Sequence, residues 1–323
     1  MKILANDGIS GSGKKALEAA GFTVVTEKVE QENLAEAINR EGYIALLVRS
    51  ATTARKELID ACSGLKLIGR GGVGIDNIDH VYARSKGIIV INTPAASSQS
   101  VAELVMAHLF GIVRGLHDSN RLMPAKGNTD FESLKKKYAK GIELRGRTLG
   151  IIGFGRIGQS LAAYALGNGI NVIASDLEPG IRNIEVEIAG YGSVQVAVQI
   201  KSLMEVLPLC DFISMHVPKQ SNGAAVIGEG EIAIMKDGAI ILNAARGGSV
   251  DETALINALN SGKIAGAGLD VFENEPNPRA DLIAHPKVSL TPHIGAATLE
   301  AQDRIGTELA TLIQQHLGTP VKS

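Results

Sequence analysis

The stretch that decides the fold runs Thr148-Leu149-Gly150-Ile151-Ile152-Gly153-Phe154-Gly155-Arg156-Ile157-Gly158-Gln159-Ser160-Leu161. Its first five residues form an apolar run that reads as a buried strand, and Gln159 to Leu166 reads as a helix. Between them Gly153 to Gly158 spell GxGxxG. A second apolar run, Ile170 to Ser175, is closed by Asp176, eighteen residues after Gly158. GxGxxG alone says little in a chain with 37 glycines. Strand, glycine loop, helix, strand and acid in this order make a dinucleotide-binding fingerprint. The glycines give a tight turn, close approach to a pyrophosphate and close helix–strand packing. The helix N-terminus offers unpaired N–H groups to the phosphates. Asp176 is expected to accept hydrogen bonds from the adenosine ribose and to repel a 2′-phosphate, which predicts NAD over NADP. Nearly 150 residues precede the fingerprint, so another folding unit comes first.

Bulk properties narrow the rest. The 323 residues suit two domains better than one core. A formal charge of −2 gives no argument for nucleic acid or an acidic membrane as partner. Two cysteines, Cys62 and Cys210, form no disulfide framework and suggest a reducing compartment. The N-terminus is too short in its apolar part for a signal peptide. The longest apolar stretch, Val101 to Val113, is interrupted by Glu103 and His108 and falls short of a membrane span. A soluble, cytoplasmic protein is expected.

The first hundred residues alternate strand patterns (Lys2–Asn6, Phe22–Thr26, Tyr43–Val48, Leu65–Ile68, Ile88–Asn92) with helical ones, the order of a doubly wound parallel sheet. One long helix from about Ser98 to Asp118 is expected to lead into a second domain. Residues 121–145, with Lys135-Lys136-Lys137, read as a polar arm or part of a subunit interface. Alternation of period two in 183–198 predicts a β-hairpin. A last helix is expected over Leu299–Leu317.

Three downstream residues point to a reaction. Arg246, Glu275 and His293 each follow the C-terminal end of an expected strand, the edge where doubly wound sheets bind ligands. A guanidinium binds a carboxylate and a carbonyl oxygen through paired donors. A histidine titrates near neutrality and can pass a proton to a developing alkoxide. A carboxylate behind it fixes its tautomer. Without its flanking string Arg246 would read as a surface charge, and Glu275 as a solvated loop acid. Glu273 shares that loop without an expected role. No His/Asp/Cys set has metal-ligand spacing, so no metal is expected.

Along nearly its whole length the chain resembles the NAD-dependent D-2-hydroxyacid dehydrogenases. The strings that carry the resemblance are Ile68–Asn77, Gly153–Gly158, Asn243–Gly248, Leu269–Pro276 and Pro292–Gly295. The resemblance implies an α/β chain of two doubly wound parallel-sheet domains: a flavodoxin-like substrate domain (1–97 plus 298–323) and a Rossmann NAD-binding domain (98–297), with the active site in the cleft between them. It implies Arg246 as substrate-orienting residue, His293 as acid/base and Glu275 as its partner. Gly72, Val73 and Gly74 are expected to hold the substrate carboxylate through backbone N–H groups. Expected cofactor contacts are Gly153, Phe154, Gly155, Arg156, Ile157, Gly158, Asp176, His216, Val217, Pro218, Ala244, Ala245, Arg246, Asp270, His293, Gly295 and Val101. His216 also reads as structural. A homodimer through the cofactor domain is implied.

Within that family the strings look most like the short 3-phosphoglycerate dehydrogenases, which lack a regulatory domain and serve serine synthesis. Arg49 and Ser50 would then grip a phosphate-bearing substrate, with Gln302 near it and Lys136 reaching in from the partner subunit. Rival readings on the same scaffold are a hydroxypyruvate/glyoxylate reductase, a D-lactate dehydrogenase, and a non-catalytic NAD(H)-sensing corepressor-like scaffold.

Overall fold

The computed structural model describes residues 1–220 and 222–320; Ser221 and the end of the expected 298–323 segment, residues 321–323, lie outside it. The chain divides into two compact units. One is Met1–Ser98 together with the segment from Ala296 onward, and the other is Gln99–Gly295.

The first unit is a five-stranded parallel sheet of β1 (Lys2–Ala5), β2 (Thr23–Val25), β3 (Tyr43–Val48), β4 (Leu67–Arg70) and β5 (Ile89–Asn92). Its order, β2-β1-β3-β4-β5, is flavodoxin-like, with the topological switch between β1 and β3. The strands are buried on both faces, which is why they read as apolar runs without alternation. Leu4, Leu46 and Ile68 face the layer built by Leu34, Ile38 and Leu58. Ile3, Leu47 and Leu67 face Ile305, Leu309 and Ile313 of the helix Leu299–Leu317. That helix crosses Gly11–Ala19 at two glycines: a Cβ on Gly13 would lie 2.6 Å from the Gly306 carbonyl group.

The second unit holds an eight-stranded sheet: β6 (Thr148–Ile152), β7 (Asn171–Ser175), β8 (Gly180–Ile188), β9 (Gly192–Lys201), β10 (Phe212–Met215), β11 (Ala239–Asn243), β12 (Ile264–Leu269) and β13 (Val288–Leu290). Its order is β13-β12-β11-β10-β6-β7-β9-β8. All neighbouring strands are parallel except β8 and β9. One core packs Leu149, Ile151, Leu161 and Phe212 against Val105 and Leu109 of the helix Ser98–Val113. The other packs Ile213, Ile241 and Leu269 against Leu255 and Leu259 of the helix Glu252–Ser261.

Three expectations need correction. The single helix from Ser98 to Asp118 is two, Ser98–Val113 and Leu116–Lys126, because Gly115 takes a left-handed conformation (φ 61°) that a helix cannot continue through. The polar arm over 121–145 is largely helical, through the end of that second helix and Phe131–Tyr138; Leu134 is its buried anchor. The hairpin extends beyond 183–198 at both ends, since Ile200 is buried and pairs with Gly180. No described helix is long and apolar enough to cross a membrane.

Candidate active site

The glycine loop joins β6 to the helix Arg156–Gly167 and has little room for side chains. Gly153 has φ 92°, and a Cβ there would lie 2.7 Å from the His216 carbonyl oxygen. A Cβ on Gly158 would lie 2.5 Å from the Gly153 oxygen. Gly155 opens onto free space, and no side chain caps the helix it begins. Its first N–H groups therefore stay available to a phosphate. At the end of β7, Asp176 accepts hydrogen bonds from the Phe154 N–H (3.0 Å) and the Leu177 N–H (2.8 Å), which fixes it beside the loop. These residues fit a dinucleotide: a side-chain-free cradle, bare helix N–H groups and an acid at the next strand end.

The remaining expected contacts, Val101 in the helix Ser98–Val113 apart, follow the C-terminal ends of other strands of the same sheet. His216, Val217 and Pro218 follow β10. The His216 ring hydrogen-bonds Ser214 at 2.8 Å, and burial drives its pKa down to about 3, so the ring is neutral. Ala244, Ala245 and Arg246 follow β11, in a turn braced by Asn243, whose amide donates to the Arg246 carbonyl and accepts from the Ala245 N–H. Gly247 is required there: a Cβ would lie 1.8 Å from the Phe272 oxygen. The Arg246 turn and the loop after β12 are thus in backbone contact.

Asp270, buried at the end of β12, organises the segment after β13. It accepts from the Ile294 N–H, the Gly295 N–H and the Thr291 hydroxyl at 2.8, 2.8 and 2.6 Å. These bonds hold His293 at φ 55°, a left-handed conformation unusual for a side-chain-bearing residue. Gly295 packs closely on Val101, where a Cβ would come within 3.2 Å of the valine. His293 Nδ1 lies 2.7 Å from Glu275 Oε2, and the other Glu275 oxygen accepts from the Phe272 N–H at 3.0 Å. Burial pushes the Glu275 carboxyl up, but the His293 and Phe272 hydrogen bonds and the Arg246 charge outweigh it and hold the pKa below the usual range. An ionised Glu275 favours the tautomer with the proton on His293 Nδ1, with Nε2 as the ring's other nitrogen.

Two supports of these loops were not read from the sequence. His108 bridges Ser289 and Thr291 (2.8 and 3.0 Å) from within the apolar helix Ser98–Val113. Its signal was a histidine at a core-facing position. Glu252 and Glu273 exchange backbone bonds: each carboxylate accepts from the other's N–H, at 2.8 and 3.0 Å. Glu273 thereby ties down the loop that carries Glu275.

In the first unit, Arg49 and Ser50 follow β3, and Gly72, Val73 and Gly74 follow β4. Gly72 has φ 142° and Arg70 packs where its side chain would be, while the Asn92 amide donates to the Val73 carbonyl at 2.6 Å. A cavity of about 270 Å³ is lined by Arg49, Gln302, Asp7, Ser10 and Gly71, among others. Asp7, unforeseen in the sequence, accepts from the Arg49 N–H, the Thr52 N–H and the Thr52 hydroxyl. In the second unit, Lys136 is exposed on Phe131–Tyr138, and its neighbour Lys137 pairs with Asp118 at 2.6 Å.

The profile of the D-isomer specific 2-hydroxyacid dehydrogenase NAD binding domain matches residues 106–295, and the chain belongs to that family. It is 41% identical over 317 residues to a D-3-phosphoglycerate dehydrogenase of Methanocaldococcus jannaschii, covering 98% of this chain but 57% of that protein. It is 43% identical over 300 residues to a hydroxypyruvate reductase of Thermotoga maritima, covering 91% of each. The fold is similar to that of a glyoxylate reductase from Paecilomyes thermophila, with a TM-score of 0.82 and 29% identity over 100% of this chain and 97% of the other.

Proposed function

We propose that this protein is an NAD-dependent dehydrogenase of D-2-hydroxy acids, with Arg246, Glu275 and His293 as its catalytic set. The observation that carries this reading is the His293–Glu275 pair at 2.7 Å, beside an arginine whose charge reaches the same carboxylate. Arg246 would hold the substrate carboxylate and C2 oxygen through its planar fork. In oxidation, His293 Nε2 takes the hydroxyl proton as the C2–H bond breaks, and Glu275 stabilises the imidazolium that forms. The bound nicotinamide supplies the hydride acceptor. In reduction, the imidazolium returns the proton to the alkoxide.

For the substrate we propose 3-phosphoglycerate, oxidised to 3-phosphohydroxypyruvate on the route to serine. Supporting this are the M. jannaschii relative and the first unit's cavity, whose lining includes Arg49 and Gln302. The Gly72–Gly74 turn would take the carboxylate through backbone N–H groups. A second reading, reduction of hydroxypyruvate, is favoured by the T. maritima relative and by the Asp7 carboxylate in that same cavity. The deciding assay is NADH oxidation with 3-phosphohydroxypyruvate beside hydroxypyruvate, glyoxylate and pyruvate. A preference of about tenfold or more for the phosphorylated acid, about 1.4 kcal/mol in the transition state, supports the phosphate reading. Arg49→Ala should abolish that preference; equal or better use of hydroxypyruvate by the wild type would favour the second reading. We further propose a homodimer through the cofactor unit, to be checked by sedimentation.

A further inference from the structure

The hairpin β8–β9 forms the outer edge of the second sheet, and its register sends one charged side chain inward. Ile184 is buried and Val186 packs against the same core, so Arg182, two residues before Ile184, shares their face. Across the ladder Arg182 lies opposite Val198, which is also buried. A slip of one residue would turn Arg182 to the opposite face, so the apolar pattern of the hairpin fixes its direction.

That direction leads to the cofactor loop. Arg182 Nη1 donates to the Phe154 carbonyl oxygen at 2.9 Å and lies 3.6 Å from Asp176 Oδ2. The guanidinium therefore stands beside both the glycine loop and the acid expected to meet the adenosine ribose. It remains partly exposed, with 39% of its side-chain surface accessible. One of its five N–H groups is used on Phe154, and the planar fork has further donors for an anion. A carboxylate alone at this position discriminates against a 2′-phosphate by like charge. A cation 3.6 Å from it offsets that repulsion and offers charge-assisted hydrogen bonds to phosphate oxygens.

We propose that Arg182 is a cofactor-specificity residue which, by engaging the 2′-phosphate, lets this protein take NADP(H) as well as NAD(H). The inference rests on the NAD-binding assignment of the second unit and is independent of which oxo acid is reduced. It modifies the expectation drawn from Asp176 alone.

The test is direct binding, by calorimetric titration of the intact protein with NADPH, NADH, 2′,5′-ADP and 5′-AMP. The wild type should bind NADPH within about tenfold of NADH. Arg182→Gln should raise the ratio of the NADPH to the NADH dissociation constant at least about tenfold, and should weaken 2′,5′-ADP more than 5′-AMP. Arg182→Lys, which keeps the charge without the fork, should fall between. A thermal melt of each variant checks that the hairpin is intact. A wild-type ratio above about a thousand, or one that Arg182→Gln leaves unchanged while NADH still binds, overturns the role of Arg182 alone. Failure of the wild type to bind either dinucleotide overturns the cofactor assignment, and the inference with it.

Discussion

His293 Nδ1 and Glu275 Oε2 stand 2.7 Å apart although their loops follow different strands, β13 and β12. The bond depends on two backbones being held at once. Asp270 grips the first through the N–H groups of Ile294 and Gly295, and Glu252 grips the second through the Glu273 N–H.

Replacing His293, the proposed proton carrier, should separate chemistry from binding. His293→Ala is expected to lower turnover by roughly 10²–10⁴, the usual weight of a general acid/base, while NADH binding persists. Steady-state kinetics beside a nucleotide titration checks this; wild-type turnover in the variant would remove His293 from the mechanism.

Glu275 sets a pH dependence whose sign follows from its environment. Its pKa is lower in the folded chain than the ordinary 4.5, so its contribution to stability is present above that value and lost as pH falls through the folded pKa. Thermal melts from neutrality downward should show wild type losing its advantage over Glu275→Gln only in that acid range.

Glu252 behaves in the opposite sense. Burial raises its pKa, so its charged form opposes folding, and stability falls as pH rises through the folded value. Glu252→Gln keeps an acceptor for the Glu273 N–H but carries no charge. Its melting temperature should therefore vary less between acid and neutral pH than that of the wild type; parallel curves would refute this.

Gly247→Ala tests the contact between the Arg246 turn and the Phe272 backbone. A methyl group 1.8 Å from the Phe272 oxygen forces the loops apart, at about 1–3 kcal/mol of stability. Denaturant melts should show that loss, and kcat/KM should fall further than the melt implies because Arg246 and Glu275 move relative to each other.

How far the sequence could be read depended on the range of the forces involved. The glycine loop was legible because its spacing and its flanking strands are local, and the residues after β11, β12 and β13 were legible because strand ends are. Gly115 was harder: one residue in a left-handed conformation interrupts a pattern that otherwise continues as a helix. The hairpin was visible through its alternation, but its ends were not, because Gly180 and Ile200 pair across the ladder rather than along the chain. His108, Asp7 and Arg182 bond Ser289, Thr52 and Phe154, which lie 28 to 181 residues away in sequence, and no local window shows such a partner.

The helix Leu299–Leu317 supplies Ile305, Leu309 and Ile313 to the core around Ile3 and Leu47. During synthesis on the ribosome, the unit begun first is thus the one finished last. The residues of Gln99–Gly295 have all emerged while one face of the earlier sheet still lacks its cover. Vectorial folding would therefore complete the nucleotide-binding unit before the other, and a nascent chain halted before Leu299 would expose the apolar face of β1, β3 and β4 to chaperones.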